Sequence, residues 1–318
     1  MRALSRNGRG VIGIIIPIVG VGSLALAAPS AFAANAHHGG GGAGGGGSAA
    51  TGNDISYPQC GSSFPASPGF GIVGLNDGRA NDLNPCFGPS SSYGSYTQSE
   101  LYWAVAAPTG GPLQPKASLY VNTGDPGNVY NGTLIGDWPT SGSTPYGSCS
   151  TTTVTTSSGS ATAGANSPGC AWQYGYNTAV QDASWLSGAA SAIDHQNAPV
   201  YVPGTAASYP WWLDVETANT WQTGTNGQQM NVADLQGMIA GLQQAGASTV
   251  GAYSTSFQWG QITGGTNSSS GSLYKIPDWI PGARTLSGAK SNCATTPFTG
   301  GAVTVTQWSG RPDNDYAC

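Results

Sequence analysis

Charge is what this chain has least of: only 7% of its 318 residues are Asp, Glu, Lys or Arg. Setting aside Arg2, Arg6 and Arg9 near the start leaves six basic residues against fourteen acids, all of them beyond residue 53. A nucleic-acid-binding face displaces counterions with clustered Lys and Arg, and an anionic membrane surface attracts the same groups, so neither is an expected partner. Histidine is scarce as well, with His195 alone beyond residue 53. A Ser-His-Asp or Cys-His mechanism would rest on that residue, yet IDHQNAPVYV reads as a loop carrying an exposed histidine. No cysteine spacing is C-x-x-C, so a zinc site is not expected, and neither is any cofactor. What the chain does have is 39% apolar residues, ten tryptophans, 50 glycines and 21 prolines, a composition that folds rather than one that stays open.

Long apolar stretches are confined to the start. MRALSRNGRG is cationic, Val11 to Ala28 is mostly apolar with a break at Pro17, and Ala31-Phe32-Ala33 offers the small residues that a signal peptidase reads. Residues 1–33 are therefore expected to be a signal peptide, with Ala36 as the alternative cleavage point and an uncleaved anchor as the competing reading. Residues 34–52, ANAHHGGGGAGGGGSAATG, carry almost nothing able to pack and read as a flexible linker, in which His37 and His38 are incidental. The remainder, 53–318, has the size of a single barrel domain. The expected product is secreted, extracellular or cell-wall associated, free of the membrane after cleavage, and a monomer.

In an exported chain, six cysteines read as three disulfides. Of the fifteen connectivities, chain proximity favours the sequential pairs Cys60–Cys86, Cys149–Cys170 and Cys293–Cys318.

Short apolar runs at 70–75, 118–122, 211–215, 249–253 and 302–307 read as strands, several apolar enough for a parallel sheet buried on both faces. Helical patterns lie between them. Thr97 and Glu100 form an expected capping box, Ala179 to Ile193 keeps a three-and-four spacing, and Asn231 with Asp234 is expected to open a helix whose apolar stripe ends at Gly246. This alternation predicts an α/β fold, a TIM-like (β/α) barrel that need not be regular. The stretches 124–176 and 260–301, long and rich in Gly, Ser and Thr, read as surface loops.

With histidine excluded, carboxylates carry the acid and base work. In YPWWLDVETANTW, Asp214 and Glu216 stand two apart at the end of an apolar strand and so share a face. In a barrel, that strand end is the active mouth, and apolar neighbours raise an acid's pKa so that one group keeps its proton while its partner is charged. Aromatics cluster near strand ends, and Trp212, Tyr253 and Trp308 are the candidates for stacking on a sugar.

Taken in order, GNDISYPQC, FGIVGLNDGRA, SLYVNTGDPG, WWLDVETANTW, VGAYSTSFQWG and VTVTQWSGRPDNDYAC resemble the glycoside hydrolase family 25 lysozymes. That family opens on a G-x-D-[VI]-S strand, carries a D-x-E in a middle strand and ends on a Q-W or W-Q element followed by an aspartate. The opening D-I-S-x-P-Q-C and Asn84-Pro85-Cys86 are similar to a group of secreted actinobacterial proteins. The resemblance implies catalytic roles for Asp54, Asp214, Glu216 and Asp315, with Asp313 as the fallback for the last, and places Asp77 where the family has an acid before glycine. It implies a muramidase-type hydrolase acting on a polysaccharide partner, the cell-wall glycan peptidoglycan or a related N-acetylated polymer. Glu216 would be the acid, and Asp214 would orient the substrate's own N-acetyl group. The alternative is a non-catalytic glycan-binding or cell-surface protein on a degenerate hydrolase barrel, which could keep the strands while filling the cleft.

Overall fold

The computed structural model of the chain describes residues 50–126, 129–130, 133–134, 138–156 and 159–318. The expected signal peptide and nearly all of the expected linker lie outside these residues. The first strand, β1 (Thr51–Ile55), takes in the last two linker positions. It is followed by β2 (Phe70–Gly74), α1 (Glu100–Ala106) and β3 (Ala117–Asn122). Three small hairpins come next: β4 (Val129–Tyr130) with β5 (Thr133–Leu134), β6 (Gly142–Thr144) with β7 (Gly147–Cys149), and β8 (Thr151–Thr156) with β9 (Gly159–Gly164). The chain continues through α2 (Pro168–Asp194), β10 (Trp211–Asp214), α3 (Gly224–Gln244), β11 (Val250–Tyr253) and α4 (Ser256–Thr263). It ends with β12 (Asp278–Ala283), α5 (Leu286–Asn292), β13 (Val303–Trp308) and β14 (Asn314–Ala317).

Eight of the strands close into a barrel in the order β1-β14-β13-β12-β11-β10-β3-β2. Every neighbouring pair is parallel except those made by β14, which runs antiparallel to both β13 and β1. Reversal of this one strand brings its start, rather than its end, to the mouth formed by the C-terminal ends of the other seven.

Two apolar layers hold the fold. Outside the barrel, Val73, Leu119, Val121, Trp211 and Leu213 meet Leu101, Leu186, Ile193, Leu235 and Ile239 of the helices. Inside it, Phe70, Ile72, Trp212, Trp279, Val305 and Ala317 fill the lumen, with Tyr120 and Tyr253 packed above them. The lumen admits such large rings because glycines face them. A Cβ on Gly251 would lie 2.4 Å from the Trp212 ring, and one on Gly74 would lie 2.6 Å from the Tyr120 ring.

The three disulfides pair sequentially: Cys60–Cys86, Cys149–Cys170 and Cys293–Cys318. The helix starts correct two expectations. Ser99, not Thr97, caps α1 by accepting from the Tyr102 N–H, and Glu100 turns inward to accept 2.7 Å from Asn84 Nδ2. Asn231 lies inside α3, which begins at Gly224, and its amide donates to the Gln222 and Ile262 carbonyls. The stretch 124–176 holds the hairpins and the first turns of α2, and 260–301 holds β12 and α5, so neither is only a loop. Among the described residues, no helix is long and apolar enough to cross a membrane.

Candidate functional site

The two-residue period of a strand sends Trp212, Asp214 and Glu216 to one face, here the barrel interior. Trp212 lies deepest and is part of the lumen core, while Asp214 and Glu216 reach the mouth. Asp54 arrives from β1, one strand past the reversed β14. These three carboxylates line a cleft of about 220 Å³, walled by the rings of Tyr120, Tyr253 and Trp279 and by Gln307 and Asp313.

Each acid is held differently. Asp54 Oδ2 accepts from Gln307 Nε2 at 3.0 Å, and Gln307 Oε1 accepts in turn from the Tyr253 hydroxyl at 3.1 Å. Trp279 Nε1 donates to Asp315 Oδ1 at 2.9 Å, while Asp315 Oδ2 has no hydrogen-bond partner among the described residues. The backbone around Asp214 is fixed through its carbonyl, which accepts from Thr123 Oγ1 at 2.5 Å and from Asn219 Nδ2 at 3.2 Å. With its amide turned so that both ends are satisfied, Asn122 donates to Asp214 Oδ2 at 2.9 Å and accepts from the Gly78 N–H at 3.2 Å. Beside Glu216, Gln258 Oε1 accepts from the Thr217 N–H at 2.7 Å and from Thr217 Oγ1 at 3.1 Å.

Burial pushes all four acids toward their neutral forms, and charge repulsion adds to it for Asp54, Asp214 and Asp315. Desolvation raises Asp54 to about 6; the Gln307 hydrogen bond opposes the rise and the charge of Asp313 adds to it. Burial, then the charges of Glu216 and Asp54, lift Asp214 well above the usual carboxylate range. Asp315 is raised well above it too, by burial and then by the charge of Asp54. Glu216 is raised by burial, with the Gln258 hydrogen bond acting against the rise. Neighbouring carboxyls forced to share protons in one cleft suit general acid chemistry.

Of the residues singled out in the sequence, Asp54, Asp214, Glu216 and Tyr253 share the cleft lining. Asp315 is fully buried, one layer below the mouth, whereas Asp313, just before β14, is at the lining. This is a correction with a simple cause: β14 runs backwards, so the earlier residue is the shallower one. Trp212 is core, 2% exposed, and does not offer its face to the cleft. Trp308 alternates away from Gln307, whose side chain points inward to Asp54, and is not part of the lining. Asp77 sits in the turn after β2, its N–H bonded to the Asp82 carbonyl, and does not reach the lining either. Tyr120, Gln307 and Asn122 escaped the sequence reading, and Trp279 is one of the strand-end aromatics not chosen there as a candidate. A register-based alternation would have found Gln307, because on β13 it or Trp308 must face inward. His195 caps the end of α2, exposed, with Nδ1 2.6 Å from the Ser191 carbonyl, beside a shallow groove remote from the carboxylates. Among the described residues, three metal-ligand side chains come together at Cys60, Cys86 and Glu100, but the disulfide engages both sulfurs.

No family model matches the chain, and no curated protein matches it. Solved structures do resemble it. A muramidase from Trichobolus zukalii has a TM-score of 0.41 at 14% identity, covering 84% of this chain and 93% of its own. A bacterial lysozyme from Streptomyces coelicolor has a TM-score of 0.38 at 14% identity, over 85% and 92%. A glycosyl hydrolase 25 of Streptococcus pneumoniae has a TM-score of 0.33 at 14% identity, over 84% and 86%. Likeness this remote says nothing about chemistry, and what this cleft can do follows from its own carboxylates.

Proposed function

We propose that the chain is a secreted glycoside hydrolase that cleaves peptidoglycan or a related N-acetylated glycan with assistance from the substrate's own acetamido group. The observation that carries this reading is the convergence of Asp54, Asp214 and Glu216 on one open, aromatic-walled cleft at the barrel mouth. Three disulfides fit an oxidising, extracellular compartment.

In this reading Glu216 is the catalytic acid. Its proton passes to the glycosidic oxygen as the bond from that oxygen to the anomeric carbon breaks. The acetamido carbonyl oxygen forms a bond to the same carbon, and Asp214 accepts the acetamido N–H and balances the positive charge on the resulting ring. Water then adds to the anomeric carbon, its proton passes to the Glu216 carboxylate, and the ring reopens. Such substrate assistance lies outside the two-carboxylate scheme, in which the separation of the acids sets the stereochemistry. Tyr120 and Tyr253, partly buried at the lining, give the sugar faces to lie against.

The test is to offer wild-type protein chitin oligomers and their fully de-N-acetylated counterparts and to measure new reducing ends. Release from the acetylated series alone is expected. Equal release from both would overturn substrate assistance, and release from neither would overturn the hydrolase reading.

A further inference from the structure

Behind the cleft lining, one buried polar side chain, Asn122, is hydrogen-bonded to Asp214 of the central pair. On parallel β3 and β10, Asn122 is the register partner of Asp214, so both side chains enter the lumen at the same level. It is buried, and its amide is committed at both ends, donating to Asp214 Oδ2 at 2.9 Å and accepting from the Gly78 N–H at 3.2 Å. Turning it over would set oxygen against oxygen and NH₂ against N–H, so only one orientation is tolerated. The backbone beneath is pinned as well: the Asn122 N–H donates to Asn76 Oδ1 at 2.9 Å. Asn76, fully buried, is itself anchored by donating to Asp182 Oδ1 at 3.1 Å and to the Ala80 carbonyl at 3.2 Å.

We propose that Asn122 is a positioning residue that holds Asp214 ionised and in one orientation, and thereby assigns the proton of the Asp214–Glu216 pair to Glu216. This rests on the reading of that pair given above. An amide NH₂ fixed against Oδ2 can only donate, so it favours a carboxylate there over a carboxylic acid. Asp214 Oδ1 is buried and has no hydrogen-bond partner among the described residues, so Asn122 supplies the carboxyl's one side-chain hydrogen bond. Every other group facing Asp214 acts the opposite way or is neutral: Glu216, two residues on, and Asp54 on β1 repel its charge, and the hydroxyls of Tyr120 and Tyr253 stay protonated in this setting. Asn122 is therefore the group that breaks the symmetry between two neighbouring acids.

The experiment compares wild type, Asn122→Leu and Asn122→Asp by steady-state kinetics on a chitin oligomer from pH 4 to 8, and by ¹³C-carboxyl NMR titration of Asp214. Loss of a hydrogen bond to a charged group predicts that Asn122→Leu lowers kcat about tenfold to hundredfold with a smaller change in KM. The acid limb of its pH profile should move to higher pH, as should the Asp214 titration midpoint. Asn122→Asp should recover activity at low pH, where a protonated carboxyl can donate as the amide does, and lose it as that group ionises. An Asp214 midpoint that stays at the wild-type value in both variants overturns the proposal, whatever the kinetics. If Asn122→Leu fails to fold, the near-isosteric Asn122→Asp carries the same decision through its pH profile and midpoint. If wild type hydrolyses nothing, the hydrolase reading fails while the NMR midpoint still decides the role of Asn122.

Discussion

Glu100→Gln isolates one buried acid, not itself part of the cleft lining, whose protonation controls stability. Glu100 is fully buried at the start of α1, with Oε2 accepting from Asn84 and Oε1 unpartnered. Burial raises it from its ordinary 4.5 to about 8, against the opposing Asn84 hydrogen bond. A carboxyl whose folded pKa lies above its unfolded one supports stability fully below the unfolded value, and that support is lost as pH rises through the folded value. The window here runs from pH 4.5 to about 8. At roughly 1.4 kcal/mol per pH unit, the loss has a ceiling of about 5 kcal/mol. Glutamine keeps an acceptor for Asn84 and has no proton to lose. Urea unfolding followed by tryptophan fluorescence should therefore find the two proteins within about 1 kcal/mol of each other at pH 5, and the variant more stable by several kcal/mol at pH 8.5. Parallel curves for the two proteins across this range would refute the reasoning.

Three further outcomes are expected. Gly251→Ala, which drives a Cβ into the Trp212 ring, should cost about 2–3 kcal/mol by thermal or urea unfolding. Replacing Cys149 and Cys170 together by serine opens a loop of sequence separation 21 and should cost about 3 kcal/mol in the same assay. Hydrolysis should be fastest on the acid side of neutrality and fall as pH rises through the elevated Glu216 value, because the acid must be protonated to act; a pH–rate profile of kcat checks this.

The sequence made the apolar strands visible because burial on both faces leaves nearly continuous Val, Leu, Ile and Trp runs, as in β2, β3 and β10. It made the disulfides visible through chain proximity. β12 was hidden because DWIPGA holds a proline and a glycine inside a Gly- and Ser-rich stretch, and β14 was hidden because NDYA is short and polar. The Thr97–Glu100 pattern misled because two serines around it compete as caps and Glu100 is drawn inward by Asn84. Within the cleft, the spacing of Asp214 and Glu216 on one strand carried its own geometry. Asn122, Gln307 and Trp279 come from three other strands, and only the register of the closed barrel brings them to the same level. The depths of Asp313 and Asp315 likewise depended on the direction of β14, which local sequence does not encode.

The most direct test of the account is the release of reducing ends from purified peptidoglycan by wild type and by Glu216→Gln at pH 5, with folding of both verified by circular dichroism. The account predicts release by wild type and a loss of at least about a hundredfold in the variant, since an amide cannot supply the proton. Undiminished release by Glu216→Gln would contradict it.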